Sequence, residues 1–378
     1  MINTKNSNQW LIPGLIAVAL LSACSDGSDH KISEVPPAPE PEAAPFQEIY
    51  DQGVTRYLGQ YTPMLSEPDG DAVNHIFGTG DGPQCINGSE YAMSTRDAGS
   101  EDLVIFLEGG GACWPGFPNC RQSANPTMSN LGILDANRSN NPVKDWNVAY
   151  LPYCDGGLHV SDIDSDNDGD GGIDWTQRGL HNLSASLDVA VMMFPSPRRI
   201  VLTGNSAGGF GTTYALALVR YLYPDTKIEI VNDSGLGIGQ PGNPAYTQTL
   251  INDWNATAFI PESCDNDCLG EDGHSTEYLI WQMEQDPTLR RSMLSYNRDS
   301  TIGDFFLMIG QDAFEDALYV EMQQLEDAFP GRTASWLPAG ILHTVLQAAP
   351  DETAGGVPLM EWIGFMLDGS DEWVSVKD

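Results

Sequence analysis

The stretch that decides the fold is Arg199-Ile200-Val201-Leu202-Thr203-Gly204-Asn205-Ser206-Ala207-Gly208-Gly209. It opens as a short apolar run rich in β-branched residues and closes in a small-residue turn. The residues that follow, Ala207 to Tyr223, have the apolar spacing of a helix. Gly204-Asn205-Ser206-Ala207-Gly208 matches G-x-S-x-G in the strand-turn-helix context that gives that pattern meaning. A sharp turn there lifts the Ser206 hydroxyl above the sheet, and the Ala207 amide at the helix start can stabilise an oxyanion. The plainer alternative is a tight turn with Ser206 as a helix cap.

Working outward, strand-like and helix-like runs alternate. LVIFLEG (103–109), NVAYLPYC (147–154), KIEIVNDSG (227–235), RSMLSYNRD (291–299) and TASWLPAG (333–340) read as strands. Helices are expected from about 178 to 194, with Leu180, Leu183, Leu187 and Val191 on one face, and over 275–286, 312–329 and 358–367. This alternation implies an α/β fold, a mainly parallel central sheet with helices on both faces, and a site at the carboxyl ends of the strands.

A second glycine cluster, Glu108-Gly109-Gly110-Gly111-Ala112-Cys113, follows the strand at 103–107. Amides at the end of an earlier strand can point at the same oxygen as Ala207, so Gly110 and Gly111 are the candidate further donors. No G-K-[ST] follows, which removes a phosphate-loop reading. A nucleophilic serine needs a base, and the base an orienting acid. In the chain order serine, acid, histidine, His274 and His343 remain, and His343, between the last strand and the last helix, is preferred. Asp299, at the end of the run 291–299, is the preferred acid, with Asp304 and Asp233 as alternatives.

Composition narrows the partners. The chain has 378 residues, 53 Asp plus Glu against 17 Lys plus Arg, and a formal charge of -36. Nucleic acid is therefore an unfavourable partner, as is an anionic lipid surface. Residues 10–23 have the shape of a signal-peptide core. They end Leu21-Ser22-Ala23-Cys24, which resembles a bacterial lipobox. That likeness implies a signal peptide over 1–23, cleavage before Cys24 and lipidation of its sulfur; Ser25 after the cysteine suggests the outer membrane. The membrane contact would then be the lipid anchor alone. A Pro/Glu-rich tether is expected over 24–45, and one folded domain over 46–378. Export suits the other cysteines, an even set of Cys85, Cys113, Cys120, Cys154, Cys264 and Cys268. The short spacings 113–120 and 264–268 suggest local disulfides, which leaves 85–154.

FLEGGGACW (106–114), YCDGG (153–157), GNSAGG (204–209) and His343-Thr344 together resemble the pectin acetylesterase family, which includes the Notum-type carboxylesterases. The likeness implies an α/β-hydrolase-like fold and serine ester hydrolysis, with Ser206 as nucleophile, His343 as base, Asp299 as acid and Gly110, Gly111 and Ala207 as oxyanion donors. It also implies disulfides Cys113–Cys120 and Cys85–Cys154. Two departures stand out: Gly111 and Ala112 precede Cys113 where members often have Trp after the glycines, and Asn205 stands where members often have Cys. The expected substrate is an acetylated polysaccharide such as pectin; small or lipid-like acyl esters are the alternative, and a non-catalytic binding protein on the same fold is a third reading.

The segment 162–174, DIDSDNDGDGGID, resembles a calcium loop when read from Asp166: Asp166, Asp168, Asp170 and Asp174 are candidate ligands, with Gln177 where a bidentate Glu usually stands. A structural calcium ion is the expectation, a solvated acidic insertion the alternative. No metal is expected in catalysis. Trp114, Trp175 and Trp254 could stack on sugars, though core positions are commoner for tryptophan.

Overall fold

The computed structural model describes residues 44–270 and 272–378, and Ala43–Asp378 form one compact unit. The signal peptide, Cys24 and the tether up to residue 43 lie outside the described residues.

The central strand is β6 (Arg199–Asn205). It pairs in parallel with β4 (Asp102–Leu107) on one side and β7 (Lys227–Asp233) on the other. Beyond β4 lies β5 (Asn147–Leu151), also parallel. Beyond β7 come β8 (Arg290–Leu294), β9 (Thr333–Leu337) and the short β10 (Val376–Lys377), all parallel. β1 (Leu65–Asp69), β2 (Ala72–Ile76) and β3 (Ala92–Arg96) form an antiparallel edge against β5. The ten strands run in the order β1-β2-β3-β5-β4-β6-β7-β8-β9-β10.

The inner strands read as continuous apolar runs because both faces are covered. Leu103, Ile105, Leu107, Ile200 and Leu202 join one buried cluster, with Leu180, Leu183 and Leu187 of α1 (Gly179–Met193) and Leu216 and Leu218 of α2 (Ala207–Leu222). The alternate residues Val104, Phe106 and Val201 pack on the other face with Trp336 and with Trp362, Ile363 and Met366 of the C-terminal helix Leu359–Asp368. This two-faced parallel sheet is the α/β-hydrolase-like architecture expected above.

Two expected strands are shorter than their apolar runs. β8 stops at Leu294 and β9 at Leu337, where Pro338 has no N–H to continue the ladder. The two chains stay side by side as loops: Asn297 N donates to Pro338 O (3.0 Å), Arg298 N to Gly340 O (3.1 Å) and Ser300 N to Ile341 O (3.1 Å). Asp299 therefore lies on a loop, not at a strand end, and the paired loops carry it toward His343.

Candidate active site

The β6–α2 turn is dictated by crowding. Ser206 sits at φ 55° and ψ -122°, a strained conformation for a residue with a side chain. A Cβ at Gly204 would lie 2.5 Å from Gly208 O and 2.6 Å from Leu107 O, and one at Gly208 would overlap Leu107 O. Glycine is thus required on both sides of the serine because β4 passes directly beneath the turn.

The structure brings three of the candidate residues into one hydrogen-bonded line. His343 Nε2 is 2.8 Å from Ser206 Oγ, and His343 Nδ1 is 2.6 Å from Asp299 Oδ2. Asp299 is fully buried, and its Oδ1 accepts the Thr301 and Ile302 amides at 2.9 and 3.1 Å. Those bonds fix the carboxylate plane, so the second oxygen faces the imidazole. The other candidates are engaged elsewhere. His274 Nδ1 accepts the Gly239 N–H (2.9 Å), and Asp304 accepts from Gln311 (2.8 Å). Asp233 binds backbone amides that follow His343.

The glycine cluster runs into a hairpin, Gly111–Trp114 with Phe117–Cys120, closed by the Cys113–Cys120 disulfide. Arg121 N donates to Gly110 O (2.7 Å), which makes Gly111 and Cys120 a non-hydrogen-bonded pair and leaves the Gly111 amide pointing out of the hairpin. Gly111, Ala207 and Ser206 line one pocket of about 420 Å³, counting space open to solvent. Gly110 does not line it; it packs on Tyr153 and Arg121.

The neighbourhood of this loop was not legible as functional. Asn205 Oδ1 accepts the Gly109 N–H (3.1 Å), tying the loop to the serine turn. His159 Nε2 lies 2.9 Å from Glu108 O; burial pushes the His159 pKa down, which favours the neutral ring. Cys113 O accepts from Trp254 Nε1 (2.8 Å) and Gln177 Nε2 (3.0 Å). The Cys85–Cys154 disulfide anchors the YCDGG segment below, and Cys264–Cys268 closes a separate loop. Trp254 is thereby a core residue; Trp114 stacks on Phe117 at 4.2 Å between centroids.

The pocket wall is apolar: Phe117, Leu158, Phe210, Ile302, Phe305 and Phe306. Leu158, Phe210 and Phe306 also wall a second apolar cavity that reaches Tyr214, Ile238 and Trp254. Leu158, Phe210 and Phe306 therefore form a wall shared by the serine pocket and this second space.

The acidic loop caps a separate hairpin, Ile163–Ser165 with Trp175–Gln177. Oxygens of Asp166, Asp168 and Asp174 lie within 4.8 Å of one another, and all three residues are exposed. Asp170 is not part of that group; its Oδ1 accepts the Gly172 amide (2.7 Å). Gln177 is buried and directed to Cys113 O, so it does not supply the ligand its position suggested. Three carboxylates at the spacing of a hard cation fit calcium in part, as a site short of protein ligands.

A family model described as Pectinacetylesterase matches residues 76–272. The chain is 25% identical over 209 residues to "Pectin acetylesterase 4" of Arabidopsis thaliana, covering 50% of this chain and 50% of that protein. It is 30% identical over 172 residues to "Palmitoleoyl-protein carboxylesterase notum2" of Xenopus laevis, covering 40% of this chain and 33% of the relative. The chain thus spans half or less of the length of these curated relatives.

Proposed function

The chain belongs to the pectinacetylesterase family, and from that premise we propose that it is a serine carboxylic-ester hydrolase acting on an acetylated polysaccharide. The observation that carries this reading is the line Asp299–His343–Ser206 beside a pocket lined by Gly111 and Ala207. Ser206 Oγ attacks the ester carbonyl while His343 Nε2 takes its proton. Asp299 holds the ring and favours the imidazolium. The amides of Gly111 and Ala207 receive the negative charge that develops on the carbonyl oxygen; Gly110, packed on Tyr153 and Arg121, is not among the donors. His343 then returns the proton to the leaving alcohol, and a water activated by the same nitrogen releases the acid. Turnover of p-nitrophenyl acetate that survives Ser206→Ala would overturn this assignment.

The polysaccharide part of the reading is tested by acetate release from acetylated pectin. A second reading, a longer acyl ester, is favoured by the apolar cavity behind Phe306. A p-nitrophenyl ester series from C2 to C8 separates the two: a polysaccharide deacetylase falls steeply after C2, and a lipid-type esterase peaks later. Phe306→Ala should move the optimum to longer chains by joining the two spaces.

Two further expectations stay as proposals. The LSAC ending at Cys24 supports an exported, lipid-anchored protein, and loss of radiolabelled palmitate incorporation on Cys24→Ala is its test. Asp166, Asp168 and Asp174 support a weak structural calcium site. Millimolar calcium should raise the melting temperature, and an unchanged melt with calcium or chelator would remove the ion.

A further inference from the structure

We propose that Asp233 is a positioning residue that holds the base-bearing loop and the nucleophile turn in register, so that one buried side chain sets the Ser206–His343 distance. The inference rests on the serine hydrolase reading above.

Asp233 is the last residue of β7, opposite Asn205 in the parallel ladder, and it is fully buried. It acts in two directions. Its main-chain carbonyl accepts the Ser206 N–H at 2.7 Å, directly at the nucleophile. Its carboxylate accepts the amides just after the base: Val345 N at 3.1 Å to Oδ1 and 2.9 Å to Oδ2, and Leu346 N at 2.9 Å to Oδ2. The neighbouring Ser234 completes the clamp, because its hydroxyl donates to Asp233 Oδ1 (3.2 Å) and accepts Thr344 N (3.3 Å). Three consecutive amides after His343 thus end on two adjacent side chains.

The backbone on each side needs such a clamp. Ser206, Ser234 and Thr344 all have positive φ (55°, 62° and 64°), and none is glycine. Conformations of this kind persist only where surrounding bonds over-determine them. A free carboxylate is also costly at this depth; burial pushes Asp233 up to about 6, against the opposing hydrogen bonds. A packing role needs no acceptor oxygen, whereas holding converging amides does. Asp299 cannot perform this task, since its Oδ1 is used by Thr301 and Ile302 and its Oδ2 by His343.

The test compares Asp233→Ala, Asp233→Asn and Ser206→Ala with wild type, each checked for folding by near-UV circular dichroism. Asp233→Ala should lower kcat by about 30- to 100-fold, since a displacement near 1 Å at a reacting pair costs on that order. KM should stay within about two-fold, because neither side chain lines the pocket. Asp233→Asn keeps an oxygen for Val345 and Leu346 and should recover most of the loss. The far-downfield proton of the His343–Asp299 bond should shift in Asp233→Ala and return in Asp233→Asn. A folded Asp233→Ala enzyme with kcat within three-fold of wild type overturns the proposal. If that variant does not fold, Ser234→Ala decides: a several-fold fall in kcat at constant KM supports the clamp, and an unchanged kcat overturns it. Wild-type turnover in Ser206→Ala would instead mark failure of the underlying hydrolase reading.

Discussion

Replacing Asp299 by Asn probes the line of side chains at its least exposed point. Asn has the size of Asp, so the fold should survive. The structure dictates which way the amide must face. The Thr301 and Ile302 amides both donate to Oδ1, so the Asn oxygen is drawn to that position. Its NH2 then occupies the Oδ2 position, 2.6 Å from His343 Nδ1. Donor would meet donor unless the imidazole changes tautomer and carries its proton on Nε2. A ring protonated on Nε2 cannot accept the Ser206 proton. The magnitude follows from losing the base while keeping the oxyanion amides: about 10⁴ in kcat, the scale of the corresponding change in Ser-His-Asp enzymes, or about 5.5 kcal/mol of barrier at 1.36 kcal/mol per decade. Steady-state hydrolysis of p-nitrophenyl acetate at pH 8 measures it, with the melting temperature as control. A correctly folded Asp299→Asn enzyme within ten-fold of wild-type kcat would refute the tautomer argument and the acid assignment together.

Two other outcomes follow from the same geometry. The disulfides should separate by effect: the Cys85–Cys154 bridge closes 69 residues and its removal should cost about 4 kcal/mol of stability, whereas Cys113–Cys120 closes 7, should cost about 2–3 kcal/mol, and should depress kcat more because it braces Gly111; thermal melts and kinetics of the paired serine variants test this. Burial alone would raise Asp162, but hydrogen bonds from His181 and Arg56 outweigh it and hold its carboxyl down to about 2. Its stabilising contribution is therefore complete above about pH 4 and is lost as pH falls from there through about 2, so the melting deficit of Asp162→Asn should be clear at pH 7 and shrink toward pH 2; a deficit independent of pH would exclude the ion pair as its source.

The parallel sheet was legible because the inner strands are apolar on both faces, which makes LVIFL and RIVLT stand out as runs. The antiparallel edge was not. β1 is LSEPD, exposed along nearly its whole length and interrupted by Pro68, and β3 buries Ser94, Thr95 and Arg96. Neither has an apolar signal to read. At the site, the serine turn is legible because only glycine fits beside β4 at 204 and 208. Asp299 was placed at a strand end that does not exist, since the apolar run through Tyr296 continues into a loop paired to 338–341 by backbone bonds that carry no sequence pattern. Asp233 was legible only as an alternative acid; its contacts to the Val345 and Leu346 amides carry no sequence signal, because its partners are main-chain groups. Gln177 stands at the motif position usually held by a bidentate Glu, and packing directs its side chain inward to Cys113 O.

An activated nucleophile at Ser206 can be trapped covalently. The wild-type domain is treated with a fluorophosphonate at pH 8, digested and mapped by mass spectrometry. One adduct is expected, on Ser206, formed much more slowly in His343→Ala. An enzyme that hydrolyses p-nitrophenyl acetate yet carries no adduct at Ser206, or carries it on another residue, would contradict that assignment.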